Sequence, residues 1–202
     1  MTNIVFAVDN SGSTDRRIPY WNRVQELLDV VLSRSKDIQC TPTFVLWNCT
    51  PTVVSLPQLL LTITNRTGKS GTLLSNVAKL LIETPLSQSS ILYICTDGCI
   101  SATEVADTDK LLQEHTFGEV HLFIEARYAA SNLSIAAPFT RKSIYTVYTN
   151  GEIALQGSTS NPLELPTITT FDEFTAAGDS LWAIQYTHGS VETFTMTRMH
   201  FN

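Results

Sequence analysis

Short apolar runs recur along this chain, and each is followed by a polar loop and then by a segment with helical spacing. The runs are "NIVFAV" (3–8), "TFVLWN" (43–48), "SILYICT" (90–96), "EVHLFIE" (119–125) and "SIYTVYT" (143–149). Each is too short for a helix that buries itself, and 3–8 and 90–96 are apolar almost without interruption, as strands buried on both faces are. Between them, Trp21, Val24, Leu27, Leu28, Val31 and Leu32 fall on one helical face. So do Leu73, Leu74, Val77, Leu80 and Leu81, and Thr103 to His115 has mixed helical character with Val105, Leu111 and Leu112 inside. Strands that alternate with helices in this way predict an α/β fold of three layers, Rossmann-like, with a mostly parallel central sheet and helices on both faces.

Local signals refine this plan. Pro19 suits the first turn of the helix that runs to about Arg34. "TVVS" (52–55) follows the second strand after only a few residues, Pro51 among them. That gap is too short for a crossover, so the third strand is expected to be an antiparallel edge strand. Leu56 to Thr62 reads as a short helix, Pro85 as the end of the helix before strand 90–96, and Tyr128 to Ala137 as a short helix ended by Pro138. After Asn150-Gly151 the texture changes. "EIALQG" can pair back as a hairpin arm. Residues 158–170, with Pro162 and Pro166, are loop-like, and "FDEFTAAG" (171–178) suits one or two helical turns. Segments 180–187 and 190–201 alternate like two strands around His188-Gly189. We therefore expect a main domain over residues 1–149 and a C-terminal extension over 150–202, with a β-hairpin packed on that same domain.

The 202 residues are enough for one well-filled domain. A formal net charge of −6 argues against general nucleic-acid binding, which calls for a basic face. The cluster Arg16, Arg17 and Arg23 reads as solvated surface, as do Arg141 and Lys142. Residues 4–8 lack the basic flank and cleavage pattern of a signal peptide. No apolar run approaches the roughly 20 residues needed to span a bilayer. Cys40, Cys49, Cys95 and Cys99 make no CxxC pair and read as free thiols of a reducing, cytoplasmic location.

The chemistry gathers where strands end. Ligands of an open parallel sheet bind beyond the carboxyl ends of its strands. Asp9 ends the first strand and Asp97 the later buried one. Ser11 and Ser13 share the loop of Asp9, with Gly12 between them allowing a tight turn. Thr72 stands near a helix start after a glycine-containing loop. Singly, each has an ordinary use: the hydroxyls as caps or turn braces, the carboxylates as loop residues. Together they bring two carboxylates and three hydroxyls to one edge, an all-oxygen set suited to a hard divalent ion such as Mg²⁺. Such an ion would also relieve the repulsion between the two carboxylates.

Three motifs in this order resemble the von Willebrand factor type A (VWA) family, whose fold is also that of the inserted domain of integrins. D-x-S-x-S at 9–13 is similar to its metal-ion-dependent adhesion site (MIDAS), "SGT" at 70–72 to its threonine loop and "TDG" at 96–98 to its second aspartate loop. The resemblance spans roughly residues 3–149. It implies sheet order 3-2-1-4-5-6 with one antiparallel edge strand. It also implies direct ligation of Mg²⁺, or of Mn²⁺ or Ca²⁺ in its place, by Ser11 and Ser13. Thr72, Asp9 and Asp97 would bind directly or through water, and a glutamate or aspartate of a protein partner would complete the shell. The 150–202 extension is not part of the usual domain.

Three functions compete. The resemblance favours a metal-dependent protein–protein interaction module without enzymatic activity or membrane insertion. A structural or self-assembling protein, with a stabilising metal, would use the strands at 180–187 and 190–201 for edge pairing. A Mg²⁺-dependent phosphate-processing enzyme is disfavoured. The histidines lie away from the three loops and Ser11 has no base nearby. "TGKSGT" also departs from a phosphate loop, which would need glycine where Ile63 stands.

Overall fold

The computed structural model describes residues 2–69, 71–83, 90–126, 133–140, 143–157, 184–186 and 194–196. Strand β1 (Ile4–Asp9) leads through a 3-10 turn (Gly12–Thr14) into helix α1 (Ile18–Asp37). Then come β2 (Thr43–Trp47), β3 (Thr52–Val54), α2 (Leu56–Asn65), α3 (Leu74–Glu83) and β4 (Ile91–Thr96). Helix α4 (Ala102–Leu112), β5 (Glu119–Ile124), a 3-10 turn (Leu133–Ala136), α5 (Ala137–Thr140), β6 (Ile144–Thr149) and β7 (Glu152–Gly157) follow. The backbones of β8 (Ile184–Tyr186) and β9 (Phe194–Met196) pair antiparallel as a separate two-stranded sheet. The turn expected at His188-Gly189 lies outside the described residues, as do Pro85, Arg141, Lys142 and the loop and helical turns expected over 158–178.

The main sheet has the order β3-β2-β1-β4-β5-β6-β7. β2, β1, β4, β5 and β6 run parallel, and β3 and β7 are antiparallel to their neighbours. The chain is thus an α/β protein with a mixed sheet between helices, and both edges, not one, are antiparallel. The second edge arises because Asn150 and Gly151, both at positive φ, turn β6 straight back into β7. Residues 152–157 are therefore part of the main sheet.

Side-chain periodicity sorts the helices onto the two faces. Ile4, Phe6 and Val8 of β1, with Tyr93 and Cys95 of β4, pack under Tyr20, Val24, Leu28 and Val31 of α1 and Leu59 and Ile63 of α2. Val5 and Ala7, with Leu92 and Ile94, pack on the other face against Leu74, Val77 and Leu81 of α3, Val105 of α4 and Phe139 of α5. Every residue of β1 and β4 is buried, as their unbroken apolar runs require. Pro138 does not end a helix. It lies in the first turn of α5, where a missing N–H breaks no helical hydrogen bond. Among the described residues no helix is long and apolar enough to cross a membrane. Cys40, Cys49, Cys95 and Cys99 form no disulfide with one another.

Candidate metal centre

Strand register brings the two aspartates to one place. β1 and β4 lie side by side and parallel, with Val8 opposite Cys95. Asp9 therefore comes level with Thr96, and Asp97 lies one residue beyond. Thr96 fastens the juxtaposition: its hydroxyl donates to Asp9 Oδ2 at 2.8 Å and accepts from the Gly98 amide at 3.1 Å. The other carboxyl oxygen, Asp9 Oδ1, accepts the Ser11 amide at 2.9 Å. The Ser11 and Ser13 hydroxyls lie 3.0 Å apart. Asp97 Oδ1 accepts the Cys99 amide at 3.0 Å.

The first loop is braced from below. The Thr14 hydroxyl donates to Ser11 O at 2.8 Å, and the Trp21 indole donates to Thr14 O at 2.8 Å. The threonine-bearing segment docks on it from the side. Lys69 pairs with Ser11 as a parallel bridge and donates its amide to Asn10 O at 2.6 Å, while Gly68 donates to Asp15 Oδ1 at 3.0 Å. Gly68 is required there because a Cβ would stand 2.2 Å from Ser11 O. Gly71, at φ +85°, carries the chain past Cys49 Sγ, 1.9 Å from where its Cβ would be.

Asp9, Ser11 and Asp97 are buried, and Ser13 and Thr72 are partly exposed. Desolvation pushes the Asp9 pKa up to about 7, and the Asp97 charge adds to that shift. The Cys99 thiol is also raised, chiefly by burial, and it interacts with both Asp97 and Ser13. Four of the five candidate residues thus form one connected group. Thr72 lies between Lys69, docked on Ser11, and Leu73, whose amide donates to Asn48 O at 3.1 Å. Helix α3 begins only at Leu74, so Thr72 precedes the helix rather than opening it. Ser70 lies outside the described residues.

Asp97 Oδ2 is buried and has no hydrogen-bond partner among the described residues. Its neighbour is Arg17 Nη1 at 3.4 Å, also buried and without a hydrogen bond. Arg17 is therefore not solvated surface as expected from the sequence: its side chain is 14% exposed. Nothing in the spacing of Arg17 betrays that contact, which depends on where α1 starts relative to β4. Thr96 was equally hidden, since a threonine inside an apolar strand reads as a strand former. Beside the first loop lies a cavity of about 230 Å³, lined by Asn10, Asn48, Thr50, Thr52 and Lys69 among others.

Among the described residues no group of three or more His, Cys, Asp or Glu side chains is placed to hold a metal ion. The candidate set has two carboxylates, and its other oxygens are hydroxyls.

The element order and sheet define the class, a Rossmann-like α/β arrangement. No family model and no curated protein matches the sequence. Among solved structures the chain is similar to one described as von Willebrand factor type A from Catenulispora acidiphila, at 14% identity and a TM-score of 0.47, covering 72% of this chain and 38% of that one. The chain thus spans well under half the length of the structure it matches.

Proposed function

We propose that this chain is a VWA-like protein–protein interaction module whose carboxyl-edge loops hold a divalent cation, Mg²⁺ by preference, and through it an acidic side chain of a partner. The observation that carries the reading is Asp97 Oδ2, a buried carboxylate oxygen without a hydrogen-bond donor among the described residues, beside a second buried carboxyl group. Arg17 supplies charge to that oxygen at 3.4 Å but no hydrogen bond, so the oxygen keeps lone pairs that a hard cation could take. The residue types present fit a hard one: carboxylates from Asp9 and Asp97 and hydroxyls from Ser11, Ser13 and Thr72.

Each residue has a distinct task. Ser11 and Ser13 present their hydroxyls as a pair on the 3-10 turn. Asp9 is fixed in orientation by the Ser11 amide on Oδ1 and the Thr96 hydroxyl on Oδ2, and its carboxylate would face the ion directly or through water. Asp97 would offer Oδ2 beside Arg17, and Thr72 would approach on the segment whose Lys69 docks against Ser11. The ion, when bound, would offer a Lewis-acidic face to a carboxylate. Specificity would then come from the rim, including the cavity walled by Asn48, Thr50 and Lys69.

Mn²⁺ titration followed by calorimetry and by water-proton relaxation tests the reading. The wild type should bind one ion, and Ser11→Ala/Ser13→Ala should lose it while still melting cooperatively in EDTA. Acetate, a minimal carboxylate, should displace water from the bound Mn²⁺ and lower the relaxation enhancement. Equal Mn²⁺ binding by the double variant would refute the assignment.

A further inference from the structure

Three arginines crowd the start of α1, and the structure sends them three ways. Arg16 is exposed beside Asp15. Arg23 engages Glu26 and Glu125. Arg17 alone turns inward to the candidate centre, placing Nη1 3.4 Å from Asp97 Oδ2. Neither atom has a hydrogen-bond partner among the described residues, although both are buried. A guanidinium normally meets a carboxylate through directed, often paired, N–H···O bonds. Here it contributes charge and little orientation. Asp97 is oriented from its other oxygen, by the Cys99 amide.

We propose that Arg17 is a built-in rival for the cation, a residue that sets the ion affinity of the Asp9–Asp97 centre by holding its positive charge against the one Asp97 oxygen that no donor satisfies. The inference rests on the metal-binding reading above and adds the group that tunes it. A divalent ion that takes Asp97 Oδ2 must share that oxygen with Arg17 or displace it. In either case it meets a like charge at close range in a part-buried site, where screening is weak. Arg17 belongs to the N-cap of α1, whose backbone is fixed by Arg17 N to Thr14 O at 3.1 Å and Trp21 N to Arg17 O at 3.1 Å. Only its side chain can give way, so the centre carries a standing bias towards weak, exchangeable binding.

The test compares wild type, Arg17→Gln and Arg17→Lys by Mn²⁺ calorimetry, with thermal melts in EDTA and in Mn²⁺ as a second measurement. Arg17→Gln should bind Mn²⁺ tighter by roughly tenfold or more, because the repelling charge is gone. Arg17→Lys, which keeps the charge, should stay near wild type. In EDTA, Arg17→Gln should melt below wild type, since Asp97 loses the counter-charge of Arg17, and Mn²⁺ should raise its melting temperature by more than it raises that of wild type. Unchanged or weaker Mn²⁺ binding by Arg17→Gln, with wild type binding normally, overturns the role of Arg17 and leaves the metal centre standing. Failure of all three proteins to bind Mn²⁺ at millimolar concentration overturns the centre itself, and the rivalry with it.

Discussion

The hydroxyl of Tyr20 shares its proton between two strand ends, donating to Asp9 O at 2.5 Å and lying 3.1 Å from Cys95 O. Tyr20 sits in the first turn of α1 and is fully buried. One side chain therefore ties the helix to the carboxyl ends of both central strands, directly under the candidate centre.

Tyr20→Phe removes that donor and leaves buried carbonyl oxygens underserved. The expected loss is about 1–3 kcal/mol of unfolding free energy, measurable by urea titration in EDTA. A loss below experimental error would show that neighbouring donors take over.

Asp9 gives an acid-side signature. Its pKa is raised in the folded state to about 7, so folding favours the protonated carboxyl. Its contribution is fully present below the unfolded value near 3.8 and is lost as pH climbs towards 7. In EDTA, Asp9→Asn should therefore be more stable than wild type at pH 7.5 and equal to it near pH 3.5, read from melting temperatures across the range.

His121 should show the opposite sign. It stacks on Tyr93 with ring centroids 4.7 Å apart and bonds Glu119 at 2.6 Å. Burial nonetheless lowers its pKa below 6.5. Its contribution is present above the unfolded value and is lost as pH falls through the folded one. His121→Gln should flatten the stability profile on the acid side of pH 6.5, and an unchanged slope there would contradict the shift.

Gly68→Ala puts a methyl group against main-chain atoms that cannot rotate away, Ser11 O at 2.2 Å and Asp15 N at 2.7 Å. The Lys69–Ser11 bridge must open. We expect a loss of about 1–3 kcal/mol in EDTA together with weaker Mn²⁺ binding, because Thr72 is carried on the same segment. Retained Mn²⁺ affinity would place Thr72 outside the ion's shell.

Much of the architecture was legible because it is written in local period. β1 and β4 declare themselves by unbroken apolar runs, and α1 by Pro19 and its apolar stripe. The antiparallel β3 followed from a gap too short for a crossover. Pro138 misled because a proline marks either the end of one helix or the first turn of the next, and the composition around it does not choose. The second antiparallel edge was visible only as a hairpin signal at Asn150-Gly151. That β7 completes the main sheet is a matter of pairing, which spacing does not encode.

The candidate residues were legible as types and positions, not as partners. Asp9 and Asp97 could be placed at one edge from topology alone. The bond from Thr96 to Asp9 spans 87 residues, and the contact of Arg17 with Asp97 depends on helix placement. Such contacts have no periodic trace in one sequence.

β1 is flanked on both sides by parallel partners, β2 and β4. A tensile load applied at the tip of that strand is carried along its axis and meets two ladders of hydrogen bonds in shear at once. A pull on the loop above Asp9 would thus be resisted from both sides of its strand, and an edge strand such as β3 could offer only a single ladder to resist it.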